Sequence, residues 1–197
     1  MTRYKHISPK RIQKIQDNIF TCEEVISRDV CNEIISIGES RLKPAKTVWS
    51  KREIRTNQLS WLDPSTHPAL NEIKKYCAEI SGLTQEYQEI PQFLKYSPGE
   101  FYGPHEDYFP ENYLLGTSIS PIGRMQRGFT FLFYLNSGQN GGGTRFPKLS
   151  TTIQPKVGKL LMWKNMVNGK PNLNSTHEGL PPKDWTKYAL TIWVRTP

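Results

Sequence analysis

Apolar residues in the early part of the chain recur at helical spacing. Val30, Ile34, Ile35 and Ile37 fall on one side of a helix that Ser27 can cap and that runs to about Ser40. A second stripe, Leu70, Ile73, Tyr76, Cys77 and Ile80, predicts a helix starting near Thr66 or His67. Pro68 would sit in its first turn and Gly82 at its stop. The first third therefore reads as helical with some strand. From about Gln92 the period shortens. Runs rich in aromatic and β-branched residues (QFLKY, FYGPH, GFTFLFYLN, GTRFP, TTIQP, KLLMWKN, YALTIWVR) alternate with Gly, Pro and Asn. No helix-length segment separates these runs as βαβ units would require, so they predict an all-β sandwich or barrel. The fold class expected is mainly β with flanking helices, the helices packed outside a jelly-roll barrel.

Length and composition narrow this to one domain. A chain of 197 residues, 36% hydrophobic and 11% aromatic, can bury one good core and is not disordered in composition. We expect a single catalytic domain, residues 1–90 forming a helix-rich support and 91–197 the barrel core. No apolar run approaches the roughly 20 residues that span a bilayer. The basic N-terminus lacks the apolar stretch of a secretory signal, so a soluble, cytoplasmic protein is expected. Cys22, Cys31 and Cys77 are odd in number, widely spaced and free of CxxC pairs, which suits a reducing compartment. Cys31 and Cys77 fall on apolar helical faces, where cysteine packs as a small hydrophobe. A net charge of +8 favours a polyanionic or acidic partner. The densest basic stretch, Arg41 to Arg55 with Lys43, Lys46, Lys51 and Arg52, reads either as a solvated loop or as a docking patch.

Chemistry enters with YSPGEFYGPHEDYF, where His105 and Asp107 stand two residues apart. On a strand such a pair projects from one face, and imidazole with carboxylate is the donor mixture of a two-histidine, one-carboxylate iron(II) site. His-x-Asp alone is weak, being commonly an accidental surface pair. A third ligand must come from His6, His67 or His177. His6 lies in a charged N-terminal arm, and His67 at a helix start, where capping suffices. His177, in NSTHEGLPP, lies in the strand-rich half, from which a distant strand could deliver it across a barrel. A solvated loop histidine is its ordinary alternative. Ten residues on, Lys187 opens KYALTIWVR. Pointing into a barrel mouth, it would need a carboxylate to offset its desolvation. On a strand edge it would be a surface lysine.

In order along residues 93–196, several motifs resemble the prolyl 4-hydroxylase branch of the iron(II)/2-oxoglutarate dioxygenases. They are Tyr96, His105-x-Asp107, Arg127 to Asn136 (RGFTFLFYLN), Gly142 to Pro147 (GGTRFP), Pro155 to Gly158 (PKVG), His177, and Lys187 to Trp193. Upstream, IRTNQLSWL (Ile54 to Leu62) looks like the family's arginine-threonine-serine-type segment. The resemblance implies a double-stranded β-helix (cupin-like) barrel using iron(II), 2-oxoglutarate and O2, with ascorbate as accessory reductant. His105, Asp107 and His177 would hold the metal. Lys187 would bind the distal carboxylate of 2-oxoglutarate, with Tyr96 and Thr144 hydrogen-bonding nearby. Arg127, Tyr102 and Trp193 match positions lining the peptide groove, although the aromatics could be core residues and the arginine a surface cation. No catalytic residue beyond the metal site is implied. Segments Val48 to Leu62 and Glu111 to Arg124 are irregular enough to act as lids. Pro182, Asp184, Lys159 and Trp163 depart from the family pattern without removing a ligand.

The activity implied is hydroxylation of peptidyl proline at C4, coupled to decarboxylation of 2-oxoglutarate to succinate and CO2, on a proline-containing peptide or protein, which the net charge allows to be acidic. The chain looks like the compact forms of microbes, algae and large viruses, which admits a virus-encoded enzyme acting in a host cell. The same scaffold could serve another protein side chain, a small molecule or an alkylated nucleic acid. Base-repair members use arginines after the distal histidine, where here Lys187 comes first and Arg195 lies near the terminus. A non-catalytic peptide-binding module is the remaining reading. No membrane association is expected.

Overall fold

The computed structural model describes residues 4–8, 10–45, 54–110 and 125–197. Strands β1 (Gln13–Gln16) and β2 (Ile19–Cys22) form a hairpin. Its two-residue loop is Asp17-Asn18, with Asp17 at φ 42, a conformation that Asp tolerates in tight hairpin turns. Helix α1 (Arg28–Glu39) starts at Ser27, whose hydroxyl accepts from the Val30 N–H. After β3 (Lys43–Pro44) and β4 (Gln58–Trp61) comes α2 (Pro68–Ser81). His67 caps it by accepting from the Ala69 N–H, and Gly82 closes it at φ 73. Then follow β5 (Gln92–Tyr96), β6 (Tyr102–His105), β7 (Gln126–Tyr134), β8 (Thr144–Phe146), β9 (Thr151–Ile153) and β10 (Leu160–Lys164). Short β11 (Met166–Val167) and β12 (Lys170–Pro171), then β13 (His177–Gly179) and β14 (Lys187–Thr196), complete the chain.

One detail of α1 differs from the expected stripe. Its buried residues are Val30, Cys31, Ile34 and Gly38, while Ile35 and Ile37 are only half-buried. A 3.6-residue period steps from Ile34 to Gly38, and a glycine leaves no hydrophobic mark in the sequence. A Cβ on Gly38 would overlap the Phe93 ring of β5. Gly38→Ala is therefore expected to destabilise the fold by about 1–3 kcal/mol through overpacking, despite its better helix propensity. Chemical denaturation would measure this.

The larger sheet has eight strands in the order β1-β2-β10-β7-β14-β5-β4-β3, and the smaller has four in the order β6-β13-β8-β9. Residues before 90 thus supply two helices and also four of the eight strands. Period-two alternation divides the larger sheet's faces. Phe131 and Phe133 of β7, with Leu190, Ile192 and Val194 of β14, pack with Ile34, Leu70 and Ile73 of the helices. The opposite face, including Leu94, Leu132, Leu161 and Ala189, packs with Phe146 and Ile153 of the smaller sheet. Two facing sheets around an apolar interior, helices outside one of them, make the double-stranded β-helix barrel expected. All three cysteines are buried and free. No helix among the described residues is long and apolar enough to cross a membrane.

Candidate metal and co-substrate site

The antiparallel register of β13 on β6 places His177 opposite His105. Sequence reading had a distant strand reaching across the barrel; the strand is remote in sequence and adjacent in the sheet. Asp107 also arrives differently. Strand β6 ends at His105, so the carboxylate comes from the bend beyond it and not from strand alternation. His105 Nε2 lies 3.8 Å from Asp107 Oδ1, and His177 Nε2 lies 3.7 Å from Oδ2. The three donor atoms fall within 4.8 Å of one another.

Each imidazole has its tautomer set by a backbone carbonyl. His105 Nδ1 donates to Gly103 O (2.8 Å) and His177 Nδ1 to Ser175 O (2.9 Å), so each Nε2 keeps a lone pair facing the other donors. Burial pushes the His105 imidazole down to about 3, with His177 adding to the effect, so it is neutral and able to ligate. Burial pushes Asp107 up, but His177, His105, Arg127 and the Thr130 hydroxyl outweigh it and hold the carboxyl at about 2. A neutral His105 imidazole, the His177 ring and an ionised Asp107 carboxylate, 6% exposed, are a donor set that fits iron(II).

A hydrogen-bonded chain orients Asp107. Asn165 Nδ2 donates to Thr130 Oγ1 (2.8 Å), and Thr130 Oγ1 donates to Asp107 Oδ2 (2.7 Å). With a lone pair engaged by the amide, the hydroxyl proton is directed at the carboxylate. Thr130→Val removes that donor while keeping shape. It is expected to weaken metal affinity about 10- to 100-fold, the usual cost of losing an orienting partner. Titrating the apoprotein with manganese(II) would show this.

The site opens into a cleft of about 1620 Å3. Every second residue of β14 lines it: Lys187, Ala189, Thr191, Trp193 and Arg195. Lys187 is 2% exposed and pairs in register with Tyr96. Its ammonium lies 5.0 Å from the Tyr96 ring centroid and 5.5 Å from that of Tyr134. Among the described residues no carboxylate offsets its charge, and desolvation pushes it down to about 7. Burial pushes the Tyr96 phenol up to about 12. Thr144 accepts from the Tyr134 hydroxyl (2.8 Å), which also reaches Ile153 O (3.3 Å). A buried lysine between two phenol rings, uncompensated among the described residues, suits the carboxylate of a small acid.

The expected groove residues meet the metal end of the cleft. Tyr102 stacks on His105 (centroids 3.5 Å, interplanar 12°), with the Arg55 guanidinium 4.4 Å from its ring. Arg127 lies 3.7 Å from the Trp193 ring centroid. Its guanidinium makes a two-point ion pair with Glu89 (2.6 and 2.7 Å), and Arg195 Nε meets the same Glu89 oxygen at 2.6 Å. Arg195 is about eight residue steps, roughly 26 Å of strand, from Lys187 and cannot stand in for it. His6 pairs with Glu72, and His67 caps α2 and meets Glu33, both outside this site.

Sequence reading missed Tyr134, Thr130, Asn165, Glu89 and Arg195. Thr130, Leu132 and Tyr134 alternate along one face of β7, which was the available signal for two of them. Of the segments expected to move, 111–124 lies outside the described residues, as do 46–53 with three of the six cations of the basic stretch (Lys46, Lys51 and Arg52); 54–62 forms one cleft wall.

Residues 91–195 match the family model described as the 2OG-Fe(II) oxygenase superfamily. Prolyl 4-hydroxylase 1 of Arabidopsis thaliana is 28% identical over 199 residues, covering 90% of this chain and 68% of that protein. Prolyl 4-hydroxylase subunit alpha-2 of Gallus gallus is 27% identical over 177 residues, covering 86% of this chain and 32% of that subunit. The chain thus spans only about a third of that animal subunit. In fold it resembles a viral collagen prolyl hydroxylase from Paramecium Bursaria Chlorella virus-1 in a 2OG complex. The TM-score is 0.73 at 24% identity, over 92% of this chain and 97% of the other.

Proposed function

The chain belongs to the 2OG-Fe(II) oxygenase superfamily, and from that premise we propose that it hydroxylates peptidyl proline at C4. The observation that carries this is one cleft joining a His105-Asp107-His177 donor set to the buried, uncompensated Lys187. When bound, iron(II) with 2-oxoglutarate supplies the oxidising power, converting 2-oxoglutarate, O2 and a C–H bond into succinate, CO2 and C–OH. His105, His177 and Asp107 would hold the metal, their donor atoms oriented by Gly103 O, Ser175 O and the Thr130 hydroxyl. Lys187 would bind the distal carboxylate of 2-oxoglutarate, with Tyr96 and the Thr144–Tyr134 pair closing around it and excluding water. Ascorbate belongs to the same reading as an accessory reductant. Buried free cysteines suit a reducing compartment, so we place the enzyme in the cytoplasm.

Proline as the target is supported by the wall facing the metal end. Tyr102 and Trp193 line the cleft, each with a guanidinium over its ring, and Trp61, 46% exposed, adds open aromatic surface that suits a pre-extended polyproline-II segment. The relatives named prolyl 4-hydroxylase point the same way. Incubating iron(II)-loaded protein and 2-oxoglutarate with proline-rich peptides, with and without ascorbate, is expected to give products heavier by one oxygen on proline. Oxygen placed on lysine or asparagine would overturn the target and leave the co-substrate reading standing.

A further inference from the structure

Among the described residues, the charges lining the cleft do not cancel. The cations are Arg41, Lys43, Arg55, Arg127, Lys187 and Arg195, against Glu89, Glu106 and Asp107. Asp107 belongs to the metal donor set, and Lys187 would be met by the co-substrate. Glu89 meets both Arg127 and Arg195. Glu106 accepts from the Thr176 hydroxyl and offsets one further cation at most. Among the described residues Lys43 and Arg55 meet no carboxylate, and with Arg41, which lies by Asp63, they stand on one side of the cleft. Lys43 is on the edge strand β3, Arg41 lies just before it, and Arg55 follows in the segment leading to β4.

Arg55 is the informative member. Its Nε donates to Asn57 Oδ1 (2.7 Å) and one terminal nitrogen to Gln92 Oε1 (3.4 Å), while its plane lies by the Tyr102 ring. These neutral partners fix its position without neutralising it. Tyr102 in turn stacks on His105, so the cation stands one aromatic ring away from a metal-ligand candidate. A lysine on an edge strand is an ordinary guard against strand pairing, which accounts for Lys43 alone. It does not account for a guanidinium oriented by two amides inside a cleft.

We propose that this cleft selects acidic peptides, with Arg55, aided by Arg41 and Lys43, receiving an Asp or Glu carboxylate close to the hydroxylated residue. The inference rests on the peptide hydroxylase reading above and adds the class of sequence taken. A few cations gathered on one side suit one or two carboxylates. A nucleic-acid strand would call for a basic path along the whole groove. The chain's +8 charge also favours encounter with acidic segments.

The test uses the full chain with iron(II) and 2-oxoglutarate. Peptides of one length carry a central proline flanked by Glu, Gln or Lys, and a single-stranded oligonucleotide of the same charge as the Glu peptide is the control. Acidic over basic flanks are expected to gain about tenfold in kcat/KM at low ionic strength, shrinking as salt rises. Arg55→Gln should lose most of that gain, more through KM than kcat, and Arg55→Lys should restore part of it. Fluorescence anisotropy of labelled peptides, with manganese(II) in place of iron, reads the preference without turnover. If acidic peptides bind best but no proline is hydroxylated, the charge inference stands and the proline reading falls. Equal rates and affinities for all flanks, an acidic preference that survives Arg55→Gln, or tighter binding of the oligonucleotide would overturn it.

Discussion

His177→Ala is expected to reduce 2-oxoglutarate turnover by more than about 100-fold, beyond the range seen when only an outer partner of a metal ligand is lost. The residue sits where no neighbour can replace it. Its ring packs 4.4 Å from that of Trp163, 5.9 Å from Phe146 and 4.2 Å from His105. Its Nδ1 is tied to Ser175 O, so Nε2 is the nitrogen left for a metal. With alanine there, a two-donor set of His105 and Asp107 remains. Manganese(II) affinity should fall together with succinate production, whereas His6→Ala, remote from the cleft, should change neither. Full turnover by His177→Ala would remove the histidine from the ligand set.

Lys187→Met should separate function from stability. Losing the ammonium removes a charge-assisted hydrogen bond worth about 1.5–3 kcal/mol, so the KM for 2-oxoglutarate should rise roughly 10- to 150-fold. The ligand-free protein should meanwhile melt at a higher temperature, because an apolar side chain of similar length no longer holds a charge out of water. The pH dependence has a definite sign. In the ligand-free fold Lys187 titrates at about 7, against 10.5 for an ordinary lysine, so the unfolded chain holds the extra proton between those values. This group's penalty on stability is therefore full at pH 7 and below, and lifts as pH rises toward 10.5. Binding 2-oxoglutarate must restore the ammonium. At pH 8 it should take up close to one proton, and affinity should decline with further rise in pH. Calorimetry in buffers of different ionisation enthalpy measures the uptake, and Lys187→Met should show none. No uptake by the unaltered protein would place the co-substrate elsewhere.

Much of this was legible in sequence, for reasons that differ by element. Helices α1 and α2 bury one side each, so their 3.6-residue period and their caps at Ser27, His67 and Gly82 stood out. Strands β7 and β14 are buried on both faces. FTFLFY therefore reads as a continuous apolar run in which the inward Tyr134 looks like another core aromatic. The β1–β2 hairpin carries an Asp-Asn turn, but all four residues of β1 are exposed and give no apolar alternation. His105, Asp107 and His177 could be chosen because the chain has four histidines and one His-x-Asp pair. The Glu89–Arg127–Arg195 cluster and the Asn165–Thr130–Asp107 chain join residues 23 to 106 positions apart. Such pairings have no local spacing rule, and only the folded register brings them together.

The alternation along β14 makes the site sensitive to parity. Odd-numbered residues from Lys187 to Arg195 face the cleft, and Leu190, Ile192 and Val194 face the helices. Deleting one residue from the middle of this strand would exchange the two sets for everything beyond the cut, turning cleft residues into the helix layer and core residues toward substrate. Deleting two would shorten the strand yet keep each remaining side chain on its own side. Turnover thus doubles as a report on whether the central strand has been laid down in its proper frame, a check that the bulk signals of secondary structure would pass over.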